Sequence, residues 1–229
     1  MIQVAIAGNP NSGKSTLFNQ LTGLNQRVGN FPGVTVDRKS SVLAHNGQEF
    51  HLVDLPGTYS LHPTSTDERV TSSILLQPDD PDYPDLVLYV LDARSLEQQL
   101  LFLTQIIDLG LPVVVAMTMM DEWKSQDIKI KDDKLQKLLS CPVQRVSGKT
   151  GENVDTLKDT LVHCSTQLEK TNSFYDLQQQ EQFILDQCPS SIFHPALSSY
   201  GQLLTLEHAQ ELNLLSEDQR DVFEAVKKE

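Results

Sequence analysis

The residues from Gly8 to Ser15, Gly-Asn-Pro-Asn-Ser-Gly-Lys-Ser, carry the spacing G-x-x-x-x-G-K-S and follow directly on the apolar run Ile2 to Ala7. A strand feeding such a loop into a helix makes a cradle for polyphosphate. Gly8 and Gly13 let backbone N–H groups turn inward, the helix N-terminus adds positive potential, and Lys14 reaches the terminal phosphates. Asn9, Pro10, Asn11, Ser12 and Thr16 fill out and flank the loop, and Ser15 is the expected Mg²⁺ ligand. Such a cradle suits an ATPase, a nucleoside kinase or a GTPase, so the base must be read elsewhere. Asp54-Leu55-Pro56-Gly57 follows another strand-like run. That places a carboxylate, a second candidate Mg²⁺ ligand, at a strand end and a glycine where its N–H can meet a γ-phosphate. Thr35 lies beyond Gly29 and Gly33 in Asn30-Phe31-Pro32-Gly33-Val34-Thr35. It is placed to complete the Mg²⁺ shell when a γ-phosphate is present, the way an order–disorder switch is built.

These residues need strands that end at one edge. Short β-rich runs alternate with helical patterns up to about residue 165, which implies an α/β fold with a mostly parallel sheet covered on both faces. The runs predict six strands, at Ile2 to Ala7, Lys39 to Ala44, Phe50 to Val53, Leu86 to Leu91, Val113 to Met117 and Val143 to Val146. Asn46-Gly47 is a hairpin signal, so the second and third should be antiparallel at a sheet edge. Ser95 with Gln98 reads as a capping box opening a helix that Gly110 and Pro112 end. Helices are also expected over Asp132 to Leu139 and from Asn153, read as an N-cap, through Leu161. Beyond residue 165 no strand-like run remains. Helices are expected near 175 to 187, 195 to 212 and 216 to 228, with Ser216 and Gln219 as another capping box. Two units follow: residues 1–165, and an acidic helical subdomain over 166–229. Residues 168–229 hold four basic and eleven acidic side chains, a net of −7.

The 229 residues carry 18 basic and 31 acidic side chains, a formal net charge of −13. That field repels phosphate backbones and anionic headgroups, so no nucleic-acid partner is expected. The longest apolar runs, Leu86 to Leu91 and Val113 to Met117, fall far short of a membrane span, and the N-terminus lacks a signal peptide pattern. The chain is therefore expected to begin as folded protein and not to insert into a membrane. Three cysteines without a C-x-x-C pair suit a reducing compartment. His45, His51, His62, His163, His194 and His208 show no metal-ligand spacing, so the histidines support no metal site.

Taken together, GNPNSGKSTLFNQLTG (Gly8 to Gly23), QRVGNFPGVTVDRK (Gln26 to Lys39) and DLPGTYSL (Asp54 to Leu61) resemble the cytosolic N-terminal G domain of bacterial ferrous iron transporters of the FeoB family. The resemblance implies a Ras-like P-loop G domain followed by a helical subdomain like a guanine-nucleotide dissociation inhibitor. It implies GTP and GDP as nucleotides, Mg²⁺, and slow hydrolysis to GDP and phosphate. Asn11 matches the G-x-x-N-x-G-K-S pattern of K⁺-activated GTPases, so the resemblance also implies K⁺ held at Asn11. A cation there neutralises charge developing between the β- and γ-phosphates. Asn11, Lys14, Thr35 and Gly57 are thus the candidate catalytic residues. Thr58 stands where Ras-like enzymes carry a water-orienting Gln, so that role falls to backbone groups or to other switch residues, with Asp67 and Glu68 as candidates.

The base-reading segment departs from the family pattern N-x-x-D: it reads Thr118-Met119-Met120-Asp121. Asp121 can accept two hydrogen bonds from guanine, a donor pair adenine lacks. Thr118 has one hydroxyl and less reach than the usual Asn, while Met119 can cover a face of the base. Ser147-Gly148-Lys149 stands for the usual S-A-K, with the Gly148 N–H offered to guanine O6 from a more mobile loop. The implied partner is the transmembrane iron-permease region of the same full-length protein, at the cytoplasmic face of a bacterial inner membrane, and a homo-oligomer is left open. Three alternatives stand beside this reading. They are a degenerate guanine-nucleotide-binding module without turnover, a soluble K⁺-dependent GTPase of RNA modification or ribosome assembly, and an adenine-specific ATPase, which Asp121 disfavours.

Overall fold

The computed structural model describes residues 1–119, 132–167 and 173–226. Seven strands form one sheet in the order β2-β3-β4-β1-β5-β6-β7. They are β1 (Ile2–Ala7), β2 (Arg27–Asn30), β3 (Asp37–His45), β4 (Gln48–Asp54), β5 (Leu86–Asp92), β6 (Val113–Thr118) and β7 (Val143–Arg145). The β2/β3 and β3/β4 pairs are antiparallel and the rest parallel. The hairpin turns at Asn46 and Gly47 with φ of 47° and 78°, the two positive values that a tight primed turn requires.

The central strands read as continuous apolar runs because both faces are covered. On one face Val4, Ile6, Leu52, Leu88 and Val114 pack with Leu17 and Leu21 of α1 (Lys14–Thr22) and Leu157 and Leu161 of the helix Val154–Thr166. On the other, Ala5, Val53, Tyr89 and Val115 pack with Leu75 of α2 (Thr66–Leu76) and Leu103 and Ile106 of α3 (Leu96–Asp108). The remaining helices are α4 (Asp132–Leu139), α5 (the Val154–Thr166 helix), α6 (Gln179–Gln187), α7 (Ser199–Glu207) and α8 (Glu217–Val226). Among the described residues no strand lies beyond residue 145, and no helix is long and apolar enough to cross a membrane.

The sheet has one strand more than the six expected. All four residues of β2 are exposed, so no apolar alternation marks it, and it displaces the β3/β4 hairpin from the sheet edge. The capping box at Ser95 does not form either. A short 3₁₀ turn over Ala93–Ser95, in which Asp92 caps the Arg94 N–H at 2.9 Å, leads into α3. The Ser95 hydroxyl instead accepts from Gln99 Nε2 at 2.7 Å. Asn153 adopts φ 60° and caps nothing with its side chain. The box at Ser216 and Gln219 does form, with reciprocal contacts of 2.9 and 3.3 Å.

The C-terminal helices have a small core of their own around Leu185, Ile192 and Leu206. Tyr200, Leu204 and Leu212 nevertheless join the core under the sheet. A buried carboxylate anchors the junction: Asp108 Oδ1, at the end of α3, accepts from Ser173 Oγ at 2.8 Å and from the N–H groups of Phe174 and Tyr175 at 2.5 and 3.0 Å. Hydrogen bonds to a charged acceptor contribute more than neutral ones. Asp108→Ala should therefore cost about 3 kcal/mol in urea unfolding and expose the segment after residue 172 to limited proteolysis. Asp108→Asn, which keeps an acceptor oxygen, should lose less.

Candidate functional site

β1 delivers the chain into a loop with positive φ at Gly8 (155°), Asn11 (64°) and Gly13 (90°). A Cβ on Gly8 would stand 2.6 Å from the carbonyl oxygen of Val90, a contact no side chain tolerates. From below, the loop is held by the buried Tyr89 hydroxyl, 3.1 Å from Asn9 Oδ1 and 2.8 Å from the Gln99 carbonyl. Sequence reasoning missed Tyr89; the signal available was a phenol in an otherwise apolar strand, whose polar tip needs a partner. The Ser12 N–H donates to the Asn9 carbonyl at 3.2 Å. The Ser12 hydroxyl is buried and, among the described residues, lacks a hydrogen-bond partner. Pro10, Asn11, Ser15 and Thr16 form an exposed rim.

Lys14 Nζ lies 2.5 Å from Asp54 Oδ1, with the two side chains only 11% and 6% exposed. They line a cleft of about 350 Å³ that also takes in Thr35, Pro56 and Asp67. Thr35 is exposed but tethered, because the turn around it closes through Phe31 N–H to the Val36 carbonyl at 3.0 Å and Phe31 is buried. Gly33, with φ 76°, makes that turn. Gly57 abuts the phosphate loop: a Cβ there would lie 3.0 Å from Pro10 N. With Asp37 and Lys39, which also line it, the cleft gathers two ammonium groups, a hydroxyl and three carboxylates beside a backbone loop. That donor set suits a hard divalent cation together with phosphate oxygens.

Thr58 is fully buried and its hydroxyl donates to the Ser60 carbonyl at 2.9 Å. Glu68 Oε2 accepts from the Thr64 N–H at 2.8 Å and the Thr64 hydroxyl at 2.7 Å. Burial alone would raise the Glu68 pKa, but hydrogen bonds from Thr64, Thr58 and Tyr59 outweigh it and hold the carboxyl below its ordinary value. Glu68 therefore clamps its own loop, and of the two acidic candidates Asp67 is the one that faces the cleft.

On the other side of the loop, Thr118 ends β6 and is buried. Its hydroxyl lies 2.7 Å from the Ser12 carbonyl and 3.3 Å from that of Leu91. The expectation that Thr118 falls short is corrected in part: it reaches the phosphate loop, and in donating there it spends its one proton. Met119, at φ 58°, lies over the loop, its Cε 3.3 Å from where a Gly13 Cβ would sit. Asp121 lies outside the described residues. The Ser147-Gly148-Lys149 loop is tied down rather than loose, with Ser147 N–H donating to the Glu152 carbonyl at 3.0 Å and Gly151 N–H to the Ser147 carbonyl at 2.9 Å. Lys149 is exposed. Gly148 packs on the first turn of α1, where a Cβ would meet Leu17 N at 3.0 Å, which explains glycine in place of the alanine of S-A-K.

A family model described as ferrous iron transport protein B matches residues 2–161. The Fe(2+) transporter FeoB of Leptospira biflexa is 44% identical over 158 residues, which cover 69% of this chain and 22% of that protein. The chain therefore spans about a fifth of the curated relatives it matches. Among solved structures, the G domain of the T. maritima FeoB iron transporter superposes with a TM-score of 0.66 at 44% identity, covering 72% of this chain and 99% of that one. A mutant of S. thermophilus NFeoB bound to GDP superposes with a TM-score of 0.78 at 34% identity, covering 100% of this chain and 89% of that one.

Removing the Thr118 hydroxyl deprives the Ser12 carbonyl of its side-chain donor. Thr118→Val should lose about 1–3 kcal/mol in urea unfolding. Thr118→Asn supplies a second polar atom on a longer side chain, and calorimetry should show GDP binding tightened by up to about tenfold.

Proposed function

We propose that this chain, which belongs to the ferrous iron transport protein B family, is a GTP-binding and slowly GTP-hydrolysing regulatory domain activated by K⁺. The observation that carries the proposal is the convergence of Lys14, at the end of the glycine-rich loop, with Thr35 and Asp54 on one cleft, while Gly57 packs against Pro10 of the same loop. The nucleotide fits the residues present. The buried Ser12 hydroxyl awaits an acceptor or donor, and a backbone too close to Val90 for any side chain at Gly8 is shaped to wrap phosphate.

In this reading Lys14, paired with Asp54 here, would bind the β- and γ-phosphate oxygens of a nucleotide, and Ser15, Thr35 and Asp54 would hold Mg²⁺. The N–H of Gly57, held against Pro10, would be offered to a γ-phosphate, so that a triphosphate would engage both the Thr35 and Gly57 loops. Asn11 sits at the exposed rim with its amide available to K⁺. When bound, these cations offset the negative charge that phosphoryl transfer develops. Thr58 is buried and occupied within its own loop, so water positioning falls to backbone groups or to Asp67. Slow turnover is the consequence. Ser147, the Gly148 N–H and Met119 would meet the guanine, with Asp121, outside the described residues, assigned to its N1 and N2 by the sequence alone. Residues 166–229 form the helical subdomain, and the transmembrane iron-permease region of the full-length protein is the partner, at the cytoplasmic face of the inner membrane. The second reading, a binding module without turnover, draws on Thr118: with its hydroxyl donated to Ser12, the base loses an anchor.

Turnover assays at millimolar GTP should show Mg²⁺-dependent hydrolysis that is faster in K⁺ than in Na⁺. Asn11→Ala should remove the difference and Lys14→Ala should remove triphosphate binding. Thr35→Ala should slow hydrolysis while sparing GDP affinity. Equal rates in the two salts would defeat the K⁺ mechanism, and no turnover at all by the folded protein would favour the second reading.

A further inference from the structure

The histidines show no metal-ligand spacing along the chain, yet the fold brings two of them together. His62 lies in the loop between β4 and α2, and His208 follows α7, 146 residues later. Their ring nitrogens, Nδ1 of His62 and Nε2 of His208, face each other at 3.2 Å. Glu207 Oε1 lies 3.3 Å from the same His62 nitrogen, and the three donor atoms all fall within 4.8 Å of one another. From this geometry we propose that His62, Glu207 and His208 form a binding site for a divalent first-row transition metal ion.

The spacing suits the chemistry. Ligands about 2.0–2.1 Å from a tetrahedral metal stand about 3.3 Å apart, close to the separations of His62 Nδ1 from both neighbours. Two imidazoles and one carboxylate are a borderline donor set, which selects Zn²⁺, Fe²⁺, Co²⁺ or Ni²⁺ over Mg²⁺ and Ca²⁺, whose preferred ligands are oxygens.

The surroundings hold the donors in place. On the far side of the His208 ring, Nδ1 faces Glu211 Oε2 at 3.6 Å, and Glu211 Oε1 pairs with Arg69 at 2.9 Å. A carboxylate behind an imidazole favours the proton on that side and leaves Nε2 its lone pair for a metal, the usual outer-shell arrangement. The His62 backbone is fixed by its neighbours: Leu61 is fully buried with its N–H 2.9 Å from Gln105 Oε1, and the His62 N–H donates to Ser60 Oγ at 3.2 Å. His208 is buried while His62 and Glu207 are exposed, so the site opens to solvent and keeps positions for water. A bound ion would clamp the loop after Gly57 to the helical subdomain. The inference does not depend on the nucleotide chemistry proposed above.

The test uses the whole 229-residue chain in excess Mg²⁺, which saturates oxygen-only sites. Cobalt(II) titrated in should give visible d–d absorption that saturates at one equivalent, and calorimetry with Zn²⁺ should give the same stoichiometry. His62→Ala and His208→Ala should each weaken binding at least tenfold, with Glu207→Gln also weakening it. Zn²⁺ should raise the Tm of the parent protein, since a ligand of the folded state stabilises it by mass action, and should not raise that of the double variant His62→Ala/His208→Ala. Should the buried His208 variant fail to fold, the exposed His62→Ala carries the same test, with circular dichroism confirming its fold. One-equivalent binding untouched by His62→Ala, or parent binding no tighter than that of the double variant, would overturn the proposal.

Discussion

The backbone from Gly8 to Gly13 must pass so close to the end of β5 that no side chain fits at Gly8, where a Cβ would stand 2.6 Å from the Val90 carbonyl. Every other part of the site is arranged against that loop. Gly57 comes within backbone contact of Pro10, and Gly148 rests on Leu17 at the start of α1. Thr118 donates to the Ser12 carbonyl and Tyr89 reaches Asn9 from below. These contacts come from four different strand ends, and they meet because parallel strands deliver their C-terminal loops to one edge of the sheet. A loop of backbone N–H groups is a good anion cradle only if it is stiff, and its stiffness comes from these neighbours.

The same economy explains Thr118. An amide side chain can bridge from the loop to a base; a hydroxyl has one proton, and here it goes to the loop. Burial makes that choice the favourable one, since a buried carbonyl without a donor costs more than a solvent-facing one. The single proton of Thr118 therefore serves the phosphate loop, which it braces from behind.

The helical subdomain is not a separate ball on a tether. Tyr200, Leu204 and Leu212 extend the core that lies under β5 and β6, and Asp108 draws the start of the subdomain onto the end of α3. On its other side it meets the loop after Gly57 through His62, Glu207 and His208. The loop that packs on Pro10 at Gly57 thus meets the helices five residues later, at His62.

What the sequence determined by itself was local. Eight consecutive residues from Gly8 to Ser15 specify a phosphate loop, the apolar runs specify covered parallel strands, and Asn46-Gly47 specifies its hairpin, because each rests on backbone preference or side-chain periodicity within a few residues. β2 escaped because its four residues are exposed and carry no pattern. The box at Ser95 did not form because Asp92 had already captured the chain in a 3₁₀ turn, a competition between two local signals that residue types do not rank. Tertiary structure alone decided the partners across the fold: the proton of Thr118 given to Ser12, 106 residues away, Asp67 rather than Glu68 facing the cleft, the Asp108 anchor, and two histidines meeting across 146 residues. Such contacts depend on strand order, register and helix packing, which fix distances in space that spacing along the chain does not encode.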